Sequence, residues 1–107
     1  MAKDMNLTLA LFMAQGASCF YCGCDFEGRV LPSKKRPRAW TTDHVKPVSK
    51  GHSRCKNAVL ACQTCNVEKR DREPTAQELA RSQKIWSAAV RYLKAFNGQV
   101  PPALTAP

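Results

Sequence analysis

The sequence predicts a small α+β domain in which two short strands and a short helix surround a four-cysteine metal site, flanked by an N-terminal helix and a long C-terminal helix. Three observations lead to this fold class. Two C-x-x-C pairs stand far apart, two short runs of strand-forming residues lie between them, and helix-start signals occur near both ends. The 107 residues are expected to form one domain, whose small core makes a structural metal an important source of stability.

Four of the six cysteines have the spacing of a structural zinc site. Four thiolates suit the tetrahedral, sulfur-rich coordination of zinc. The expected ligands are Cys19, Cys22, Cys62 and Cys65. A disulfide scaffold and a redox C-x-x-C are the alternatives, and the presence of two such pairs favours zinc over both. Cys24 and Cys55 are expected to be small, partly buried residues, although Cys24 is near enough to Cys22 to compete as a ligand.

The N-terminal run M-A-K-D-M-N-L-T-L-A-L-F-M-A combines an early lysine with apolar residues, as signal peptides do. Asp4 is unusual in the charged region of a signal peptide, and no A-x-A-like cleavage site precedes Cys19. No stretch reaches the ~18 to 20 apolar residues of a membrane span. The protein is therefore expected to be soluble and cytoplasmic, in a reducing compartment and without a membrane partner.

The net charge of +9 is concentrated in one part of the chain. Residues 29–56 contain nine Lys and Arg against a single acidic residue, so that this segment carries +8. Such clustering is typical of binding to phosphate backbones, and a solvated basic loop is the alternative. Pro32 and Pro37 bracket the most basic run and predict an exposed loop. The candidate nucleic-acid-binding residues are Lys34, Lys35, Arg36, Arg38, Lys46, Lys50 and Lys69.

The first half of the chain predicts one helix and two strands. Residues 6–15 have helical character, with Asp4 or Asn6 as the N-cap and Gly16 as the stop. Leu7, Leu11 and Phe12 would face the core on that helix. Residues 39–44 and 58–61 have the composition of strands.

The second half predicts two helices. Asn66 is expected to begin a short helix toward Arg70, with Lys69 one turn further along the same face. Thr75 and Glu78 form a capping box at the start of a longer helix. The expected core residues of that helix are Leu79, Trp86, Val90, Leu93 and Phe96. Residues 1–98 would then form the domain, and residues 99–107, with three prolines, a flexible tail.

The sequence contains four residues in the order and approximate spacing of the HNH endonuclease motif: Asp43, His44, Asn57 and Asn66. Asn66 ends the run L-A-C-Q-T-C-N, which resembles the zinc-ribbon variant of that motif. The sequence is similar to the zinc-ribbon members of that family over residues 7–78. One departure is His52, which occupies a position where many relatives have a second glycine. The resemblance implies a ββα-metal core, also called a His-Me finger.

The resemblance also implies roles for the four motif residues. His44 would be the general base, and Asp43 and Asn66 would hold a single Mg²⁺ or Mn²⁺ ion through oxygen atoms. Asn57 would fix the loop and help to orient the histidine. Adjacent residues of a straight strand face opposite sides, so Asp43 and His44 would need a bend or bulge between them to act on one phosphate.

The expected function is therefore a metal-dependent endonuclease that hydrolyses phosphodiester bonds of DNA, with double-stranded DNA as the partner. One active site cuts one strand at a time, so that concerted cleavage of both strands would require a homodimer. There are two alternatives. One is a zinc-stabilised nucleic-acid-binding module without nuclease activity, and the other is a nuclease subunit that acts only within a larger DNA-processing complex.

Overall fold

The chain is represented by a computed structural model, which describes residues 6–26, 38–51 and 57–97. Its elements, in chain order, are α1 (Leu7–Gln15), β1 (Trp40–His44), a 3₁₀ turn (Val48–Lys50), β2 (Ala58–Cys62), α2 (Gln63–Lys69) and α3 (Ala76–Asn97). Helices and a two-stranded sheet share one chain, which confirms the predicted α+β class. Lys34, Lys35, Arg36, His52, Cys55 and the predicted tail lie outside the described residues.

The ends of α1 follow from local chemistry. Asn6 is the N-cap, because its side-chain oxygen accepts a hydrogen bond from the backbone N–H of Leu9 at 2.8 Å. Gly16 ends the helix with φ +90°, a conformation that side chains with a Cβ rarely adopt. Leu11 is buried, and Leu7 and Phe12 pack beside it, as the sequence predicts.

The two strands form a regular antiparallel hairpin. Five consecutive residues of β1 pair with β2, from Trp40 opposite Cys62 to His44 opposite Ala58. The other edge of β2 is partly covered by Gln15, whose side-chain oxygen accepts from Leu60 N at 3.0 Å and whose side-chain nitrogen donates to Leu60 O at 2.6 Å. One side-chain amide thus satisfies backbone groups that a third strand would otherwise bind.

The start of α3 has the predicted capping box. Glu78 N donates to Thr75 Oγ1 at 3.1 Å, and Thr75 N donates to Glu78 Oε1 at 2.9 Å. Trp86 and Leu93 are buried against α1 and the hairpin. The prediction of a core position for Phe96 is wrong, because its side chain is 65% exposed. Periodicity gives the apolar face of a helix, but it does not give the point at which the covering layer ends.

The start of α2 differs from the prediction. The helix begins at Gln63 rather than at Asn66, and Cys62 is its N-cap. The Cys62 sulfur accepts a hydrogen bond from Cys65 N at 3.4 Å, so a cysteine takes the place of the usual Ser, Thr, Asp or Asn cap. Asn66 consequently lies in the second turn. Among the described helices, none has the length and apolar character needed to cross a bilayer.

Candidate functional site

Four cysteine sulfur atoms meet where the N-terminal turn faces the junction of β2 and α2. The Sγ atoms of Cys19, Cys22, Cys62 and Cys65 all lie within 4.8 Å of one another. These are the four predicted ligands, and Cys24 does not belong to the cluster. The described cysteines are free thiols. A four-sulfur cluster of this size is compatible with a tetrahedral zinc site.

A tight turn presents the first two sulfur atoms. Gly23 N donates to Cys19 O at 3.0 Å, and Cys19 N donates to Cys24 O at 2.9 Å. Phe20 N donates to Leu60 O at 3.0 Å, which ties this turn to β2. These backbone bonds bring Cys19 and Cys22 toward the pair that β2 and α2 contribute.

The electrostatics of the cluster fit a bound cation. Burial raises the pKa of the Cys62 and Cys65 thiols, and neighbouring thiols raise the pKa of Cys65 further. In contrast, a hydrogen bond from the Cys24 backbone lowers the pKa of Cys22 to about 7. Zinc would supply the positive charge that stabilises all four thiolates together.

A second, polar cluster lies on the face of the hairpin that α2 covers, and Asp43 is at its centre. The Asp43 side chain is 9% exposed. Its Oδ2 accepts a hydrogen bond from the Tyr21 hydroxyl at 2.5 Å and lies 3.5 Å from the Lys69 ammonium. Burial, and then the hydrogen bond to Asp43, raise the pKa of Tyr21 well above its ordinary value, so Tyr21 is the donor.

Lys69 is buried instead of exposed, which differs from its expected place on a phosphate-binding surface. Its side chain is only 3% exposed. Besides its ion pair with Asp43, Lys69 Nζ donates to the backbone oxygen of His44 at 3.0 Å. Lys69 therefore joins α2 to the end of β1 through both residues of the D-H pair.

Asn66 lies beside Thr41 on the same face. Asn66 Nδ2 donates to Thr41 Oγ1 at 2.9 Å, and Thr41 Oγ1 donates to Ala61 O at 2.8 Å. Thr41 and Asp43 are two residues apart on β1, so they share one face of the sheet. Asn66 contacts Thr41 and Lys69 contacts Asp43, so Asp43 and Asn66 lie on the same side of the sheet although they are far apart in the sequence.

Asn57 holds the chain immediately after the D-H pair. Its Oδ1 accepts from Lys46 N at 2.7 Å, its Nδ2 donates to Lys46 O at 2.6 Å, and its backbone oxygen accepts from Val45 N at 2.9 Å. The asparagine is 5% exposed. These three bonds fix the bend at Val45 and Lys46.

His44 is half-buried at the end of β1. The register continues without interruption from Asp43 opposite Val59 to His44 opposite Ala58, so the expected bulge between Asp43 and His44 is absent from this hairpin. The bend comes after His44 instead. In a regular strand the side chains of Asp43 and His44 belong to opposite faces of the sheet. A bound group could reach both of them only at the end of the strand.

The remaining basic candidate residues that the structure describes differ in exposure. Arg38 and Lys50 are exposed, and Lys46 is half-buried. A cleft of about 230 Å³ borders Lys69 and is lined by Tyr21, Cys65, Glu68, Lys69, Arg72 and Glu78. None of the four motif residues lines it.

The order of the motif residues agrees with a comparison to known families. A model of the HNH endonuclease family matches residues 19–72, just over half of the chain. The chain belongs to the HNH endonuclease family. This match confirms the resemblance seen in the sequence, and it supports a role in nucleic-acid binding or cleavage and in metal binding. No curated protein matches the chain.

Two polar residues of this HNH domain were missed in the sequence. Tyr21 lies inside the first C-x-x-C pair and contacts Asp43, and Thr41 lies two residues before Asp43 and contacts Asn66. The signal for Thr41 was its same-face position on the strand. No comparable signal exists for Tyr21, since 22 residues separate it from its partner.

The HNH polar cluster contains two oxygen atoms of the kind that bind hard divalent cations. Asp43 bonds Tyr21 and Lys69 through Oδ2, and within the described ranges no residue donates to its Oδ1. Asn66 Oδ1 likewise has no donor within these ranges, because the side-chain hydrogen bond of Asn66 to Thr41 is made through Nδ2. A carboxylate oxygen and an amide oxygen are ligands that Mg²⁺ and Mn²⁺ accept.

Proposed function

We propose that this HNH domain is a metal-dependent endonuclease that hydrolyses phosphodiester bonds of DNA. One observation carries the proposal: the fold brings an Asp43 oxygen and an Asn66 oxygen to one face of the hairpin, each without a donor among the described residues. The family match supports it.

The proposed roles follow from the chemistry of each group. His44 would accept a proton from the attacking water, since an imidazole has an unperturbed pKa near ~6.5. Asp43 and Asn66 would hold one Mg²⁺ or Mn²⁺, which would stabilise the charge on the departing oxygen. Asn57 would help to orient His44 by fixing the bend that follows it.

The regular strand defines where the phosphate would lie. Asp43 and His44 belong to opposite faces, so that a group touching both must lie at the end of the hairpin where β1 leaves the sheet. Lys69 already balances the charge of Asp43. The metal would bind the protein measurably by itself, and a DNA phosphate that completes its coordination would tighten the binding.

Basic residues would hold DNA against this end of the domain. Arg38 and Lys50 are exposed on either side of the D-H pair in the sequence, and Lys46 follows it directly. Together with the basic run at residues 34–36, they would make binding largely independent of base sequence and strongly dependent on salt.

A nucleic-acid-binding module without nuclease activity is the second candidate. The Lys69–Asp43 ion pair favours it, because a carboxylate that is already neutralised attracts a cation less strongly. The two candidates make the same prediction for DNA affinity. They differ only in whether the bond is cut.

The test is nicking of supercoiled plasmid by zinc-loaded protein with Mg²⁺ or Mn²⁺. His44→Ala removes the proposed base, so the rate should fall by ~10² to 10⁴ even at saturating metal. His52→Ala removes the only other histidine of the chain and is the matched control, with a rate close to that of the parent.

Zinc content and DNA affinity, measured in parallel, should be unchanged in both variants. Nicking by His44→Ala at the parental rate would reject the assigned base. A parent that binds DNA but cuts with no divalent metal would favour the binding module.

A further inference from the structure

The hydroxyl group of Thr41 has a fixed direction. Thr41 Oγ1 lies 2.8 Å from Ala61 O, and a carbonyl oxygen can only accept a hydrogen bond. Thr41 therefore donates its single hydroxyl proton to the backbone oxygen of Ala61. Toward Asn66, which lies 2.9 Å away, Thr41 Oγ1 presents only a lone pair.

This lone pair distinguishes the two orientations of the Asn66 amide. With Nδ2 toward Thr41, an N–H group meets an acceptor. In the flipped orientation, Oδ1 would face an oxygen that has no proton left to donate, and a polar contact would be lost. The amide nitrogen is thus held against Thr41, and Oδ1 is the atom left over.

We propose that Thr41 is a positioning residue for the metal centre, because it makes Asn66 present its amide oxygen rather than its amide nitrogen. An amide nitrogen with two hydrogens has no lone pair to offer a cation, so the orientation decides whether Asn66 can be a ligand. The inference rests on the proposed function, in which Asn66 holds Mg²⁺ or Mn²⁺. Groups that orient a ligand commonly change metal affinity by ~10-fold to 100-fold.

The strand supplies a matched pair of substitutions. Thr41→Val keeps the shape and β-branching of the side chain but removes the hydroxyl group. Thr42→Val makes the same change one residue later, on the opposite face, at an exposed position. Thr41→Ser retains the hydroxyl group and loses only a methyl group. Asn66→Ala removes the proposed ligand itself and serves as the reference.

The experiment is titration of Mn²⁺ into zinc-loaded protein, with free Mn²⁺ measured by electron paramagnetic resonance. Thr41→Val should weaken Mn²⁺ binding by ~10-fold or more, in the direction of Asn66→Ala. Thr42→Val and Thr41→Ser should bind like the parent. In the nicking assay, Thr41→Val should need more metal for half-maximal rate and should recover at high metal.

The controls separate the failure of this inference from the failure of the proposed function. If Asn66→Ala loses Mn²⁺ binding and Thr41→Val does not, the role of Thr41 is rejected and the metal site stands. An equal loss in Thr42→Val also rejects it, because the effect would then belong to the strand in general. If the parent binds no Mn²⁺, or Asn66→Ala binds like the parent, both proposals are rejected.

A spectroscopic measurement covers the case in which Thr41→Val does not fold. In ¹⁵N-labelled parent protein, one side-chain amide proton of Asn66 should be shifted downfield and exchange slowly, as a hydrogen-bonded proton does. Thr41→Ser should keep that signal. An Asn66 amide with the shift and exchange rate of a solvated asparagine would overturn the inference.

Discussion

The two faces of the β1–β2 hairpin are stabilised in different ways. On one face Trp40 and Leu60 pack against α1 and α3, and this cluster consists of apolar side chains. On the other face Thr41 and Asp43 lie under α2, where they take part in hydrogen bonds and an ion pair. The hairpin therefore uses alternate residues of one short strand for the core and for the candidate site.

The difference between the two faces gives the neighbouring four-cysteine cluster a structural role on the polar face. An apolar face is held by burial, which is favourable without exact geometry. Buried polar groups are stable only while every partner stays in place. Cys62 is both a member of the sulfur cluster and the N-cap of α2, so that a bound zinc would hold the helix that carries Asn66 and Lys69.

The largest effect should come from breaking the sulfur cluster. Cys62→Ser removes a proposed zinc ligand at the start of α2, so zinc binding and cooperative folding should both be lost. Cys24→Ser is the matched control, because Cys24 lies beside the cluster but outside it. Metal analysis and thermal unfolding followed by circular dichroism measure the two effects.

The parent should contain one zinc ion per chain and should unfold when a chelator removes that zinc. A folded parent without zinc would contradict the assignment. Equal loss of zinc from both variants would show that the four assigned ligands are incomplete.

The next largest effect should come from the polar face. Asp43→Ala leaves the Lys69 ammonium buried without its counter-charge, which should destabilise the fold by about 3–5 kcal/mol. Asp43→Asn combined with Lys69→Met removes both charges and should recover much of that loss. Urea unfolding of the zinc-loaded proteins gives the free energies.

An Asp43→Ala variant as stable as the parent would show that the ion pair does not hold this face. The expected instability also means that loss of activity in Asp43→Ala would not by itself identify a metal ligand. Asn66→Ala removes no charge, so it is the better test of the metal site.

The smallest effect should come from α3, which covers the apolar face. Thr75→Ala removes the oxygen that accepts from Glu78 N and should lower the free energy of unfolding by about 1 kcal/mol. Thr75→Ser keeps a cap oxygen and should lose little. Mn²⁺ affinity should be equal in parent, Thr75→Ala and Thr75→Ser, and a change in it would show that the two faces are coupled more closely than their contacts indicate.

Elements with local causes could be predicted from the amino-acid sequence. Thr75 and Glu78 act within three residues of each other, so their spacing was sufficient to predict the capping box. The sequence offered Asp4 or Asn6 as the N-cap of α1, and the structure selects Asn6. The grouping of the four cysteines was also predicted correctly, because two C-x-x-C pairs are typical of one four-sulfur site. The order of Asp43, His44, Asn57 and Asn66, together with the two C-x-x-C pairs, indicated the HNH family, and the family match confirms it.

The contacts of the site residues, in contrast, depend on the folded arrangement of the chain. Three hydrogen bonds of the site join residues that are 22 to 25 positions apart in the sequence: Tyr21 to Asp43, Asn66 to Thr41, and Lys69 to His44 at the end of β1. A lysine in a basic chain gives no sign in the sequence that it will be buried. The burial of Lys69 depends on how α2 packs on the hairpin. That packing is determined by tertiary contacts and by the sulfur cluster, and not by a local preference of the chain.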